Sequence, residues 1–461
     1  MKPSQDTTTG GVRTTASQVA QWAHALMQLH TRIGPRFARV EPRRRVLRYL
    51  QGLLSSVERK NGWQLAEHAR EATPYGMQRL LSSAVWDTDG VRDDLRSYAL
   101  EQLGTESAIL VIDETSFSKR GDQSVGVGMQ YCGTTGQVEN CQVGVFLSYV
   151  TARGHTLIDR ELYLLPEWLA DQQRRQAAGI PESVGFQTKP ELAMQMMERI
   201  RQAHIAISWV VADTVYGDNL DLRTWLQGHG YSYVLAVPCN EPVGIVTPDG
   251  QRRQVQVRDV PALLLQQHDW QRLSMSEGTK GPRLFDWACV PILHQWHQDG
   301  RHWLLLRRSL SDPHDLTYYF VFGPPATTLH EMVQALGARW HIEEDFANTK
   351  DMGLDHYEVR SWIGWYRHIT LVMLAHAFLT GVCVQTSLSA PLPTQAAQTL
   401  APCRDTTPVL PLTVPEGRRL LGHLIWPSPC TVTLVLAWSW WRRCHRSWAC
   451  YYHTKRRREK G

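Results

Sequence analysis

The chain predicts a mixed α/β sheet with helical segments before and after it, and three observations carry that prediction. Strand-like apolar stretches follow one another directly between residues 107 and 150. From residue 189 onward helical and strand patterns alternate: a helix led by Pro190 over residues 189–204, the run SWVVAD, the helix NLDLRTWLQGHG and the run YSYVLAV. Two of the apolar runs, AILVID and SWVVAD, close on an aspartate, at Asp113 and Asp213. Consecutive strands followed by helix–strand alternation are the pattern of a mixed sheet covered by helices.

Each element can be justified in order. The polar, Gly/Thr-rich start lacks the apolar core of a secretory signal. Residues 18–103 then read as short amphipathic helices, VLRYLQGLLSSVERK, GWQLAEHAREA and PYGMQRLLSSAVW, with Thr73 as a cap and Pro74 at the first helical position of the last. The cluster Arg43, Arg44, Arg45 and Arg48 in front of such helices suits a helix-turn-helix type DNA reader; a helical scaffold with a solvated arginine face has the same pattern. Between residues 107 and 150, VGVGMQYCG and VENCQVGVFLSYV flank a Thr-Thr-Gly turn, so three strands should form an antiparallel meander that begins at the Asp113 strand. Residues 151–188 read as loops around a helix at Trp168.

Residues 241–325 hold several short strand-like runs and are too long for a plain loop, which points to a β-rich insertion. The apolar segment 368–384 contains His376 and reads as a buried helix rather than a membrane span. Residues 385–416 are rich in Pro, Ser and Thr, as a linker is. In residues 417–461, Trp426, Trp438, Trp440, Trp441 and Trp448 stand among Arg442, Arg443, Arg446, Lys455, Arg456, Arg457 and Arg458, a mixture suited to DNA backbone contact and base stacking. For the final basic run alone, a solvated tail is the competing reading.

The chemistry concentrates in RWHIEEDFANTKDMGLDHYEVRSW, residues 339–362. Arg339, Glu343, Phe346 and Lys350 fall at i, i+4, i+7 and i+11, so one helical stripe carries two cations, a carboxylate and an aromatic ring. A core stripe would be apolar and a solvated one has no use for Phe346, so the helix should border a charged site. Two strand-end aspartates and a helix-borne glutamate are the hard oxygen ligands that Mg²⁺ or Mn²⁺ prefers. Without a cation, three such carboxylates would repel and raise one another's pKa. Glu343 and Glu344 project about 100° apart on one helix, so only one of them can face the site; Glu343 shares its stripe with Arg339 and Lys350.

VIDETSFSKRG, VADTVYGDN and the 339–362 stretch together resemble the DDE superfamily of bacterial insertion-sequence transposases, in the branch with a Tyr-Arg-Glu-Lys signature. Arg339, Glu343 and Lys350 meet that signature's spacing, whereas its tyrosine position is Leu336. The resemblance spans residues 107–380. It implies an RNase H-like fold with a β-rich insertion, and a catalytic site in which Asp113, Asp213 and Glu343 hold two Mg²⁺ or Mn²⁺ ions. It further implies cutting at transposon terminal inverted repeats, joining of 3′-hydroxyl ends to target DNA, and a synaptic assembly of at least two protomers. Arg339 and Lys350 are expected to hold phosphates of the end DNA. The expected organisation is a DNA-end-binding segment over 1–103, a catalytic domain over 104–384 with its insertion at 241–325, a linker over 385–416 and a basic segment over 417–461.

Composition agrees with this class and restricts others. With 43% hydrophobic and 20% charged residues in 461, the chain can bury a large core. A net charge of +5 permits nucleic acid without demanding it, so the local clusters matter more. Nine cysteines, an odd number without framework spacing, suggest reduced thiols in a cytoplasmic protein. Two other readings are a non-catalytic DNA-binding regulator and an RNase H-like repair nuclease. A binder without metal gains nothing from clustered carboxylates, and a repair nuclease leaves the two basic ends unexplained.

Overall fold

The computed structural model describes residues 14–278, 281–388, 411–426 and 431–460, and its contacts divide the chain into two compact units. The first gathers the chain up to Tyr98, the short piece Ala177–Ile180 and everything from Asn348 onward; the second holds Ala99–Gln176 and Pro181–Ala347. The division therefore falls near residues 98 and 348, not at 103 and 384, and most of the expected linker, residues 389–410, lies outside the described residues. The first unit begins with α1 (Ala16–Ile33), α2 (Val40–Leu54), α3 (Gly62–His68) and α4 (Tyr75–Leu81), and α5 (Thr88–Leu103) leads out of it. The side chain of Thr15 caps α1 in a reciprocal pair with Gln18, and Asn61 caps α3. Thr73 does not cap α4: Pro74 itself occupies that position and supplies no side-chain hydrogen bond.

The second unit is built on one ten-stranded sheet. Its strands are β1 (Ile109–Ser118), β2 (Gly128–Cys132), β3 (Gln137–Thr151), β4 (Gly154–Tyr163), β5 (Trp209–Ala212), β6 (Tyr233–Val237), β9 (Gln271–Gly278), β10 (Gly281–Pro291), β11 (His302–Arg308) and β12 (Leu316–Phe322); β7 (Pro242–Val246) and β8 (Arg252–Gln256) form a separate ribbon. The order is β2-β3-β1-β5-β6-β12-β11-β10-β9, with β4 also paired to β3. The β1/β5 and β5/β6 pairs are parallel and the others antiparallel. This mixed sheet is consistent with an RNase H-like fold. Around it lie α6 (Pro166–Ala170), α7 (Gln172–Ala178), α8 (Lys189–Gln202), α9 (Thr214–Gly217), α10 (Leu220–Gly228), α11 (Val260–Leu264), α12 (Leu329–Gly337) and the start of α13 (Trp340–Asp351).

Three expectations are corrected. The 107–150 strands are not a simple meander, because the long β3 inserts between β2 and β1. A further strand, β4, runs through a segment expected to be loop. Its central Asp159, Arg160 and Glu161 break the apolar pattern, yet all three are buried; Arg199 on α8 donates to Asp159 at 2.8 and 3.0 Å and to Glu161 at 2.7 Å. The 241–325 segment is also no separate insertion over most of its length. Strand β12 pairs antiparallel with β6 from Tyr318/Val237 to Phe322/Tyr233, so β9 to β12 extend the main sheet.

The first unit closes around α14 (Trp362–Leu388), the one helix among the described residues long and apolar enough to cross a membrane. Every residue from Gly364 to Val382 is buried, the environment of a core helix. Two of its polar side chains are held within the unit: Arg367 donates to the Ser82 and Ala84 carbonyls at 2.9 and 2.5 Å, and His368 accepts from the Tyr49 hydroxyl at 2.7 Å while donating to the Gly353 carbonyl at 2.8 Å. Helices α15 (Val414–Leu424) and α16 (Val432–Lys460) complete the unit. On α16, Trp438 donates to the Glu71 carbonyl at 3.1 Å, Arg442 pairs with Glu67 at 2.6 Å and Trp441 sets its ring edge-on to Trp63 at 4.9 Å.

Candidate active site

The register of one short parallel ladder brings the two aspartates together. Residues Ile109 to Ile112 of β1 pair in parallel with Trp209 to Ala212 of β5, and the ladder stops there. The next residue on each strand is Asp113 and Asp213. On the β5 side the strand ends because Asp213 caps α9, its Oδ1 accepting from the Val215 backbone N–H at 3.0 Å. Gly217 closes that turn against β6, where a Cβ would stand 1.8 Å from the Ala236 carbonyl oxygen. On the other side β1 does not stop at Asp113, as the apolar run suggested, but continues to Ser118 along β3, with Asp113 opposite Phe146.

Each aspartate has one oxygen held by the backbone, Asp113 Oδ1 accepting from the Glu114 N–H at 2.8 Å; the second oxygen of each makes no hydrogen bond to a described residue. Burial, then the Asp213 charge and the Glu114 charge, push the Asp113 carboxyl up to about 8 against the pull of Arg339. Asp213 is raised by burial and by Glu114, and Arg339 and Lys189 oppose the rise. Arg339, expected on the helix, is instead a half-buried turn residue between α12 and α13, one position before α13 begins. The turn sits tightly on the sheet, since a Cβ on Gly337 would lie 2.1 Å from the Met275 carbonyl. A cation beside the aspartates would reverse the penalty on their charged forms, and two carboxylates with a free oxygen each suit a hard divalent ion.

Glu343 is on the first turn of α13, exposed, and makes no hydrogen bond or ion pair with the described residues. Glu344 projects elsewhere: His155 first, then His341, hold its carboxyl well below the usual range. Thus Asp113, Asp213 and Arg339 act on one another, and Glu343 is left with an unengaged carboxylate. Lys350, on the last turn of α13, lines a cavity of about 660 Å³ in the first unit together with Glu58, His356, Arg418 and Arg419. Of the α2 arginines, Arg45 pairs with Glu71 at 2.8 Å and Arg43 donates to the Phe37 carbonyl at 3.0 Å, whereas Arg44 and Arg48 are exposed. On α16, Arg442 is engaged by Glu67, Arg443, Arg446 and Lys455 are exposed, and the side chains of Arg456, Arg457 and Arg458 lie outside the described residues.

Three residues beside the aspartates escaped the sequence reading. Glu114 accepts from Tyr216 at 2.6 Å and pairs with Lys189 at 2.6 Å, Lys189 standing at the start of α8 behind a capping box of Thr188 and Glu191. The signal existed: in a strand that runs on past Asp113, the next side chain projects from the opposite face and needs its own partners if buried. Tyr216 is wholly buried, and burial together with Glu114 raises its hydroxyl pKa far above normal, so it remains a donor.

A mixed sheet with two adjacent aspartates at the end of its parallel ladder is consistent with an RNase H-like DDE fold, and sequence comparison shows the family. The chain matches the DDE superfamily endonuclease family over residues 32–282 and the transposase DDE domain over residues 187–378, and it belongs to the DDE superfamily of insertion-sequence transposases. A relative that it resembles is a probable transposase for insertion sequence element IS701 of Microchaete diplosiphon, 24% identical over 346 residues that cover 73% of this chain and 81% of that protein.

Proposed function

We propose that this transposase cuts DNA at the ends of an insertion sequence and joins the freed 3′-hydroxyl ends to target DNA at a site formed by Asp113, Asp213 and Glu343. The observation that carries the reading is the adjacency of Asp113 and Asp213 just beyond the Ile112/Ala212 rung, with Arg339 acting on both. The residues that would hold Mg²⁺ or Mn²⁺ are the two aspartates and Glu343, and two such ions would supply activation of the attacking hydroxyl and stabilisation of the leaving oxygen in an in-line displacement.

The chain's own groups have distinct parts. Backbone N–H groups of Glu114 and Val215 fix one oxygen of each aspartate, so the other is presented in a set direction. Arg339 offers a cation to a scissile or neighbouring phosphate. Glu114, held by Tyr216 and Lys189, keeps a third negative charge next to the pair and strengthens its demand for cations. Exposed Arg44 and Arg48 on α2 and Arg443 and Arg446 on α16 are available to DNA phosphates, and joining of the two element ends to the target would be carried out by at least two protomers.

Asp113→Ala and Asp213→Ala test the proposal. Each should abolish cleavage and strand transfer on end-DNA while gel-shift affinity for that DNA persists. Loss of binding in step with cleavage would make the aspartates structural and remove the catalytic assignment.

A further inference from the structure

Two histidines and a glutamate converge where β4 begins and α13 begins, apart from the residues assigned to the reaction. His341 and Glu344 are three positions apart on α13 and share a face; His155 is the second residue of β4. His155 Nε2 lies 3.2 Å from a Glu344 carboxylate oxygen, and His341 Nδ1 lies 3.5 Å from the same oxygen. The imidazole rings stack with centroids 4.4 Å apart, and one donor atom from each of the three residues falls within 4.8 Å of the others. Tetrahedral zinc with ligands about 2.0–2.1 Å away needs donors roughly 3.3 Å apart, which both glutamate contacts approximate.

The outer contacts are those of an oriented metal ligand. His155 Nδ1 donates to Asp345 at 2.7 Å, and the wholly buried Asp345 also accepts from the Ser148 hydroxyl. A carboxylate on one ring nitrogen fixes the ring and turns the other nitrogen toward an ion. We propose that His155, His341 and Glu344 bind one transition-metal ion of the Zn²⁺ class, with Asp345 positioning His155 from behind. The side chains of His341 and Glu344 are 38% and 50% exposed, so a water completes the coordination.

A plain ion pair is the competing arrangement. Burial alone would lower the His155 pKa, but Asp345 and Glu344 outweigh burial and hold it near 10, so an incoming ion must displace a proton. Nitrogen donors distinguish this site from the all-oxygen set of Asp113, Asp213 and Glu343 and favour zinc over magnesium. Because Glu344 follows Glu343 directly, the bound ion would tie the turn that presents Glu343 to β4. The inference stands whether or not the aspartates bind metal.

The test is metal titration of the chelator-stripped full-length chain. One Co²⁺ per chain should bind with the visible absorption of a four-coordinate nitrogen-ligated ion, and Zn²⁺ should displace it. His341→Ala and Glu344→Gln, both changes at accessible side chains, should each weaken binding at least about tenfold, and Asp345→Asn by about 10–100-fold. Asp113→Asn should leave the absorption unchanged. Absence of stoichiometric Co²⁺ uptake, unchanged affinity in His341→Ala, or loss of the absorption in Asp113→Asn would each overturn the assignment.

Discussion

Replacing Asp113 by Asn should stabilise the metal-free protein, and the size of the effect follows from the site. Burial, Asp213 and Glu114 raise this carboxyl from its usual 3.8 to about 8 in the folded chain. Between those values the unfolded chain has lost the proton that the folded chain keeps, so the folded state binds more protons and stability falls as pH rises. At about 1.4 kcal/mol per pH unit over about four units, ionising Asp113 in the fold costs about 5 kcal/mol by pH 8. Asparagine keeps the shape and removes that cost. Thermal unfolding followed in EDTA from pH 4.5 to 8.5 should show the parent's midpoint declining towards alkaline pH more steeply than the variant's, the gap reaching on the order of 10 °C. Asp213, raised in the same direction, leaves the variant some slope of its own. Adding Mg²⁺ at pH 8 should restore the parent and do little for Asp113→Asn. Superimposable pH profiles for the two proteins would refute the reasoning, since they would mean that Asp113 does not carry a buried, unfavourable charge.

Four other outcomes are expected. Glu343→Gln should eliminate Mg²⁺-dependent cleavage and Glu344→Gln retain at least part of it; the reverse result in a turnover assay would put the helix register in error, and the phosphate role of Lys350 with it. Arg199→Leu, which removes the guanidinium that donates to the buried Asp159 and Glu161 carboxylates, should cost about 3–5 kcal/mol in denaturant unfolding, and a compensating Asp159→Asn should recover much of it. Arg44→Ala and Arg48→Ala should each lower the slope of log affinity against log salt for DNA by about one, whereas Arg45→Ala, which frees Glu71, should change thermal stability instead. Gly217→Ala should damage cleavage through the Asp213 turn, because its methyl group would collide with the Ala236 carbonyl; normal activity would show that the turn tolerates displacement.

What could be read from the chain depended on whether the signal was local. The runs through Val111 and Val211 are continuous apolar stretches and became strands, and the helix from residue 189 announced itself by Pro190. Strand β4 was hidden because Asp159, Arg160 and Glu161 look solvated until Arg199, 40 residues from Asp159, is placed beside them. The union of β12 with β6 was hidden for a related reason, as pairing between strands remote in sequence leaves no periodic trace in either. Around the candidate site, the ends of the apolar runs pointed to the two aspartates and motif spacing to Arg339, but neither pointed to Glu114, whose contacts depend on β1 running past Asp113. The tryptophans of α16 illustrate the limit differently: Trp438 and Trp441 pack against the α3 region while Trp440 stays 68% exposed, and composition alone cannot sort them.

The helix α14 sets an order of events during synthesis. The helices before Tyr98 share their unit with α14, yet about 250 intervening residues, nearly all belonging to the sheet unit, leave the ribosome between the two. At about 5–20 residues per second, α1 to α4 wait roughly 10–50 s for the apolar helix they enclose, while the sheet unit has its whole length available first. A product terminated before Trp362 would retain the aspartates but never complete the helical unit, and its early helices would offer uncovered apolar faces to chaperones and proteases.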